Sequence, residues 1–117
     1  MQLRQVAVFG TGTIGSSWAA LFAARGCCVR MYDAQATAAT AGLEKARTML
    51  ESLCDGVELD AARERLTATA APEDALRGAA FVQESVMERY PVKRAAHEAI
   101  ERHAPADAII ASSSSGL

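Results

Sequence analysis

The sequence predicts an α/β fold, in which a doubly wound parallel sheet carries helices on both faces. Two observations predict it. Short apolar runs alternate along the chain with stretches of helical spacing, and glycine or proline stands near the end of several of those stretches. Strands separated by helices form parallel sheets, because each crossover lays its helix on a face of the sheet. The 117 residues suffice for one domain with its own core.

Five stretches are predicted to form the strands of this sheet. Residues 6–9 are a short apolar run, which is typical of a parallel strand covered on both faces. The other four predicted strands are residues 27–33, 66–70, 79–85 and 108–111. Since ligands of such sheets bind beyond the carboxyl ends of the strands, we expect the functional residues to follow these runs.

The intervening stretches have helical spacing. The first places Ile14, Trp18, Leu21 and Phe22 on one stripe, among alanines that favour a helix, and Gly26 is expected to end it. The second helix is predicted over residues 36–53, with a stripe formed by Leu43, Ala46, Leu50 and Leu53. A short helix opens at Pro72. The last helix should turn five side chains inward before Pro105 closes it, namely Val92, Ala96, Ala99, Ile100 and His103.

Composition excludes several classes of function. A formal net charge of −2 gives no electrostatic attraction to nucleic acid or to an anionic membrane. No apolar run approaches the roughly 20 residues of a membrane span, and the first ten residues lack the pattern of a signal peptide. The cysteines Cys27, Cys28 and Cys54 show no metal-ligand spacing. We interpret them as reduced thiols in or near the core of a cytoplasmic protein.

The stretch 10–15, GTGTIG, matches the pattern G-x-G-x-x-G between a predicted strand and a predicted helix. Gly10 permits the tight turn, Gly12 lets the backbone approach a pyrophosphate, and Gly15 lets the helix pack close to the strand. Amide groups at the start of the helix face the phosphates. The pattern predicts a Rossmann-type dinucleotide site whose phosphate turn comprises Gly10, Thr11, Gly12, Thr13, Ile14 and Gly15.

An acidic residue ends the second predicted strand. Asp33 lies 18 positions after Gly15, close to the spacing of about twenty that such sites show. Its carboxylate would accept hydrogen bonds from the adenosine ribose and repel a 2′-phosphate, which favours NAD over NADP. The structural alternative is a glycine turn followed by a surface aspartate.

The combination of these motifs resembles the NAD-binding domain of the 3-hydroxyacyl-CoA dehydrogenase superfamily over essentially the whole chain. The resemblance rests on VAVFGTGTIGSSWAALFAARG, VRMYD, FVQESV, VKRAAHEAI and IIASSSSGL. Within the superfamily, IGSSWA and QESV are most similar to the branch of lambda-crystallin (L-gulonate 3-dehydrogenase) and L-carnitine dehydrogenase. That branch usually has proline after QESV, where this chain has Met87.

The resemblance implies roles for three further residues. Glu84 matches a glutamate beside the nicotinamide half of the cofactor, and Lys93 matches a lysine that contacts the cofactor. Ser115 matches a serine near the nicotinamide and the reacting hydroxyl. Taken alone, Lys93 would be a solvated helix lysine, and the serines around Ser115 would be a polar loop.

The resemblance also implies parts beyond these 117 residues. The family's catalytic histidine lies about twenty residues after the position of Ser115, ahead of a helical domain that covers the substrate and forms a homodimer. We therefore interpret residues 1–117 as a truncated NAD-binding Rossmann domain that by itself binds NAD and oxidises no substrate. His97 and His103 are interpreted as structural or solvated, away from the strand ends where the nicotinamide should sit.

The implied reaction is hydride transfer between NAD and the hydroxyl carbon of a 3-hydroxy acid or a 3-hydroxyacyl-CoA. Met49 stands where acyl-CoA members have a serine for CoA, which favours a small hydroxy acid. Two alternatives stay open at this point. One is a stand-alone NAD(H)-sensing module, and the other is a non-catalytic structural protein similar to a lens crystallin.

Overall fold

The chain alternates strands and helices as the sequence predicts. The computed structural model describes residues 4–86 and 90–112. The strands in these ranges are β1 (Gln5–Phe9), β2 (Cys28–Tyr32), β3 (Leu66–Thr69), β4 (Phe81–Glu84) and β5 (Ile109–Ser112). The helices are α1 (Thr13–Ala24), α2 (Ala36–Met49), α3 (Gly56–Glu64), α4 (Pro72–Leu76) and α5 (Tyr90–His103), with a 3₁₀ turn at Leu50–Ser52. No helix within these ranges has the length and apolarity to span a membrane.

The strands form one parallel sheet in the order β3-β2-β1-β4-β5. The chain builds outward from β1 to β3 and then returns to the other side of β1, so the strand order reverses between β1 and β4. At the carboxyl edge, Phe9 lies between Tyr32 and Glu84, and Glu84 is paired with Ser112. This confirms the predicted doubly wound sheet and places the crevice of such folds beside the end of β1.

Helices cover both faces of the sheet over two separate apolar clusters. The cluster under α1, α2 and α3 takes Val6, Val8, Val29 and Met31 from the sheet. The cluster under α4 and α5 takes Ala7, Phe9 and Val82 from the sheet and Leu76, Ala96 and Ile100 from the helices. Strand residues two apart share a face, which explains why neighbouring residues of β1 alternate between the two clusters.

The buried face of α1 is formed by small side chains. The stripe of large residues is not that face: Ile14 is 44% exposed, and Trp18, Leu21 and Phe22 are half-buried. The residues of α1 that are buried are Gly15, Ser16, Ala19, Ala20 and Ala23. Small residues let the helix axis approach the sheet closely, while Phe22 reaches sideways to contact Phe81 and Trp18.

The second predicted helix, 36–53, is shorter in the structure and a further helix follows it. Helix α2 ends at Met49, the 3₁₀ turn tightens the chain, and Leu53 is 48% exposed, so the predicted stripe was wrong at its end. Helix α3 was not predicted from the sequence. Its signals were Asp55 at the N-cap position and the apolar pair Leu59 and Ala62, three residues apart.

Two of the side chains expected to point inward from α5 are exposed. Val92 is 48% exposed and His103 is exposed, whereas Ala96 and Ile100 are buried and Ala99 is half-buried. Beyond α5, the predicted strand at 108–111 is shifted by one residue to Ile109–Ser112. As an edge strand, β5 leaves both of its isoleucines exposed.

Candidate functional site

The turn after β1 holds its shape through a glycine that no other residue could replace. Gly10 has a φ of +106°, in the region that favours glycine. A Cβ at this position would lie 2.7 Å from the backbone oxygen of Ser85. The Gly10 amide donates to the Tyr32 carbonyl at 3.1 Å, and the Ser85 amide donates to Phe9 O at 2.7 Å. Hydrogen bonds therefore join the turn to the ends of both neighbouring strands, β2 and β4.

The other two glycines of the motif have opposite surroundings. A Cβ on Gly15 would lie 1.9 Å from the carbonyl oxygen of Gly10, so this position lets α1 begin directly against the turn. Among residues 4–86 and 90–112, no atom lies within 4 Å of a Cβ built on Gly12, and Gly12 is exposed with a φ of −73°. Neither its backbone conformation nor its packing against these residues requires glycine there. A ligand that approaches the backbone at Gly12 would require it.

Gly12 is the N-cap of α1, and within the described part of the chain no side chain caps this end of the helix. The first amides of a helix have no partner within it, and together with the helix dipole they attract an anion. No acidic side chain occupies the first turn. The open backbone at Gly12, with Thr13 and Ile14 exposed beside it, fits the pyrophosphate of a dinucleotide.

Thr11 links this turn to the acid that ends β2. Its side chain is buried, with 6% exposed, and its hydroxyl donates to Asp33 Oδ2 at 2.9 Å. The Gln35 amide donates to Asp33 Oδ1 at 3.0 Å. Each carboxylate oxygen can accept a second hydrogen bond, so Asp33 keeps acceptor capacity for a diol. The two predicted parts of the site are thus held in one fixed arrangement.

Two residues that support the turn were missed by the sequence analysis. The hydroxyl of Ser16, which is buried, donates to the carbonyls of Thr11 and Gly42 at 3.2 Å each. A Cβ on Gly42 would lie 2.5 Å from Thr11 Cβ, so glycine lets α2 pack directly on the turn. Glycine in the interior of a helix lowers its stability, so Gly42 within a helical pattern was the available signal that another part of the chain packs closely there.

A cleft of about 300 Å³ opens beside Asp33, at the carboxyl edge of the sheet. Most of its lining is apolar, and it includes Tyr32, Pro72, Val86, Val92 and Ala96. Another cavity, of about 580 Å³, includes Ala24 and Arg65 at the opposite edge, far from the glycine turn. We assign the site to the smaller cleft, because ligands of this sheet type bind at the carboxyl edge. An apolar cleft beside Asp33 suits an adenine ring.

Glu84, at the end of β4, is 1% exposed and engages partners with both carboxylate oxygens. Ser112 Oγ donates to Oε1 at 2.7 Å, and His97 Nε2 lies 3.0 Å from the same oxygen. The Val86 amide donates to Oε2 at 2.6 Å. One carboxylate thus joins β4, β5 and α5 at the edge where the sequence predicts the nicotinamide half.

The environment of Glu84 makes stability depend on pH. Burial raises the pKa of its carboxyl, but hydrogen bonds from His97, Ser112 and the Val86 amide, with the charge of Lys93, outweigh burial, so the pKa lies below its ordinary value of 4.5. Ionised Glu84 therefore stabilises the fold above about pH 4.5, and this contribution is lost as the pH falls through the folded-state pKa.

We expect the melting temperature of the wild-type chain to fall more steeply between pH 5 and pH 3 than that of the Glu84→Gln variant. Circular dichroism measures both. Equal slopes would contradict this.

The structure brings Lys93 to the same corner of the sheet. Its Nζ donates to the Val86 carbonyl at 3.3 Å. His97 also lies at this strand end, so the expectation that it is remote from the strand ends was wrong, whereas His103 is exposed at the end of α5. The side chains of α5 cross toward β4 there, which helical spacing alone does not reveal. Met87 and Ser115 lie outside the described residues.

Comparison with known proteins agrees with this geometry. Residues 5–117 match the family model described as the NAD-binding domain of 3-hydroxyacyl-CoA dehydrogenase. L-carnitine dehydrogenase of Oceanobacillus iheyensis is 36% identical over 116 residues, which cover 98% of this chain and 38% of that protein. The Streptomyces griseus subsp. griseus enzyme of the same name is 41% identical, covering 97% of this chain and 34% of that protein. The chain thus spans about a third of these relatives.

Solved structures give the same answer. The 3-hydroxybutyryl-CoA dehydrogenase of Escherichia coli K12 has a TM-score of 0.82 at 26% identity, over 96% of this chain and 25% of that one. The (S)-3-hydroxybutyryl-CoA dehydrogenase of Ralstonia eutropha also has a TM-score of 0.82 at 26% identity, over 95% of this chain and 41% of that one. The chain therefore belongs to the 3-hydroxyacyl-CoA dehydrogenase family, as an NAD-binding domain of that family.

Proposed function

We propose that this domain binds NAD across the carboxyl edge of its sheet and serves, in the full-length protein, hydride transfer between NAD and the hydroxyl carbon of a 3-hydroxy acid. The observation that carries the proposal is the open turn at Gly12, tied by the Thr11–Asp33 hydrogen bond to a carboxylate with spare acceptors. Phosphates and a ribose diol need donors and acceptors in that arrangement.

In this proposal each part of NAD has its own residues. The backbone from Gly10 to Gly15 faces the pyrophosphate, Asp33 accepts from the adenosine ribose, and the cleft beside Asp33 takes the adenine. Because β2 and β4 flank β1, the nicotinamide half then extends toward Glu84 and Lys93. When bound there, NAD would supply the hydride acceptor. Ser115 would lie near the reacting hydroxyl, and the general base would come from residues outside this chain.

The proposed substrate is a small 3-hydroxy acid. The relatives named L-carnitine dehydrogenase support this class, with identities of 36% and 41%. Met49 stands at the position where a serine for CoA is expected, and its sulfur lies 3.5 Å from Ser17 Oγ. A 3-hydroxyacyl-CoA is the competing substrate, favoured by the solved neighbours.

We further propose that the full-length protein is a cytoplasmic homodimer, following the family resemblance.

The cofactor assignment is tested at Asp33. Asp33→Ala should weaken NAD binding by roughly 10- to 100-fold, because a charge-assisted hydrogen bond contributes about 1.5–3 kcal/mol. The wild-type chain should bind NAD in preference to NADP, and Asp33→Asn should narrow that preference by removing the charge that repels a 2′-phosphate. Calorimetric titration of both cofactors measures these affinities.

Since Asp33 also accepts from Thr11, the control variant is Thr11→Val, which removes that hydrogen bond and keeps the carboxylate. We expect Thr11→Val to leave the preference for NAD intact. A wild-type chain that binds NAD and NADP equally would refute the assignment.

A further inference from the structure

The proposed site leaves the role of Glu84 to be explained. The proposal sets this glutamate beside the nicotinamide half, yet its side chain is 1% exposed and both of its oxygens already hold partners. A carboxylate in this state acts through the groups that it holds. Among the described residues, those groups include the Val86 amide, which follows β4, the Ser112 hydroxyl, which ends β5, and the imidazole of His97.

His97 and Lys93 are four residues apart on α5, so they project from the same side of the helix. Both reach the end of β4: Lys93 Nζ donates to Val86 O at 3.3 Å, and His97 Nε2 lies 3.0 Å from Glu84 Oε1. These polar contacts join α5 to the end of β4. On the adjoining side of the helix, Val92 and Ala96 line the cleft beside Asp33. The two contacts therefore fix the distance between the helix side that lines the cleft and the ends of the strands.

The two ends of the His97–Glu84 contact differ in exposure. The His97 side chain is 52% exposed, while that of Glu84 is 1% exposed. Glu84 shares its face of β4 with Val82, which packs in the cluster under α5, so the carboxylate lies between helix and sheet. A buried ionised carboxylate is costly unless it is hydrogen-bonded, and His97 supplies one of those bonds from the helix side.

We propose that His97 is a positioning residue for the nicotinamide ring of the cofactor. By donating Nε2–H to Glu84, it holds the carboxylate that in turn fixes the Val86 amide and the Ser112 hydroxyl at the ends of β4 and β5. This inference rests on the proposed function, since it takes NAD to extend toward β4. His97 itself touches no cofactor atom in this role.

The test compares NAD with ADP-ribose, which lacks the nicotinamide ring. His97→Ala should weaken NAD binding about 5- to 10-fold and change ADP-ribose binding by less than about twofold, measured by calorimetry at pH 7.5. His97→Gln, whose amide can donate the same hydrogen bond, should restore NAD affinity to within about twofold of wild type. His103→Ala, at the exposed end of the same helix, is the matched control and should change neither affinity.

Thermal melting of each variant identifies effects that come from loss of folding. An equal loss of NAD and ADP-ribose affinity in His97→Ala would show a merely structural role and overturn the inference. Unchanged NAD affinity would overturn it as well. In both cases NAD binding by the wild type and its loss in Asp33→Ala would leave the proposed function standing. A wild-type chain that binds neither ligand would overturn the proposed function together with this inference.

Discussion

Gly12→Val should abolish NAD binding, with affinity reduced at least 100-fold, and should leave the domain folded. The fold should tolerate the valine, because a Cβ at this position meets no atom of the described residues within 4 Å, and the φ of −73° suits any residue. In the complex, the same side chain would occupy the space where the pyrophosphate contacts the backbone. Two lost charge-assisted hydrogen bonds of about 1.5–3 kcal/mol each account for the factor. Calorimetry for binding and circular dichroism for folding measure the two parts.

The variant Gly12→Ala tests whether the loss of NAD affinity depends on the size of the side chain at this position. A single methyl group should weaken NAD binding less than valine does. The melting temperature of Gly12→Ala should fall by only a few degrees, since alanine is a poorer N-cap residue than glycine. Normal NAD binding by Gly12→Val would show that the turn serves the fold alone and that the phosphates lie elsewhere.

Gly15→Ala should have the opposite result, a large loss of stability. The new Cβ would lie 1.9 Å from the Gly10 carbonyl oxygen, so α1 or the turn has to move. Alanine favours a helix over glycine by only about 0.5–1 kcal/mol, whereas overpacking against backbone costs about 1–3 kcal/mol or more. The destabilisation from the clash should therefore exceed the gain in helix propensity. We expect the melting temperature to fall by about 5–20 °C and NAD binding to fall with it, since Gly10 belongs to the same turn.

Gly12→Ala is also the control for this variant, because it adds the same methyl group to the same loop at a place where no described residue lies within contact distance. A melting temperature for Gly15→Ala equal to that of Gly12→Ala would contradict the close approach of α1 to β1. Together the two positions separate a glycine that the ligand requires from a glycine that the fold requires.

The sequence by itself determined the parallel sheet, the glycine turn and the acid at the end of β2. These features are local: an apolar run, a turn that needs glycine, and an acidic residue at a fixed spacing can each be recognised without knowing what packs against them. The spacing from Gly15 to Asp33 is set by one helix and one strand, whose lengths vary little. For the same reason the edge on which the candidate site lies could be predicted.

Only the tertiary structure decided which faces are buried and which side chains meet. The alanines of α1 pack on the sheet in place of the large stripe, because the contact of Gly15 with Gly10 brings the helix too close for larger residues. His97 reaches Glu84 because α5 crosses over the end of β4, 13 residues away in the chain. The Thr11–Asp33 bond likewise joins residues 22 positions apart. Such pairings depend on how whole elements dock, and docking is a property of the assembled layers that no local pattern records.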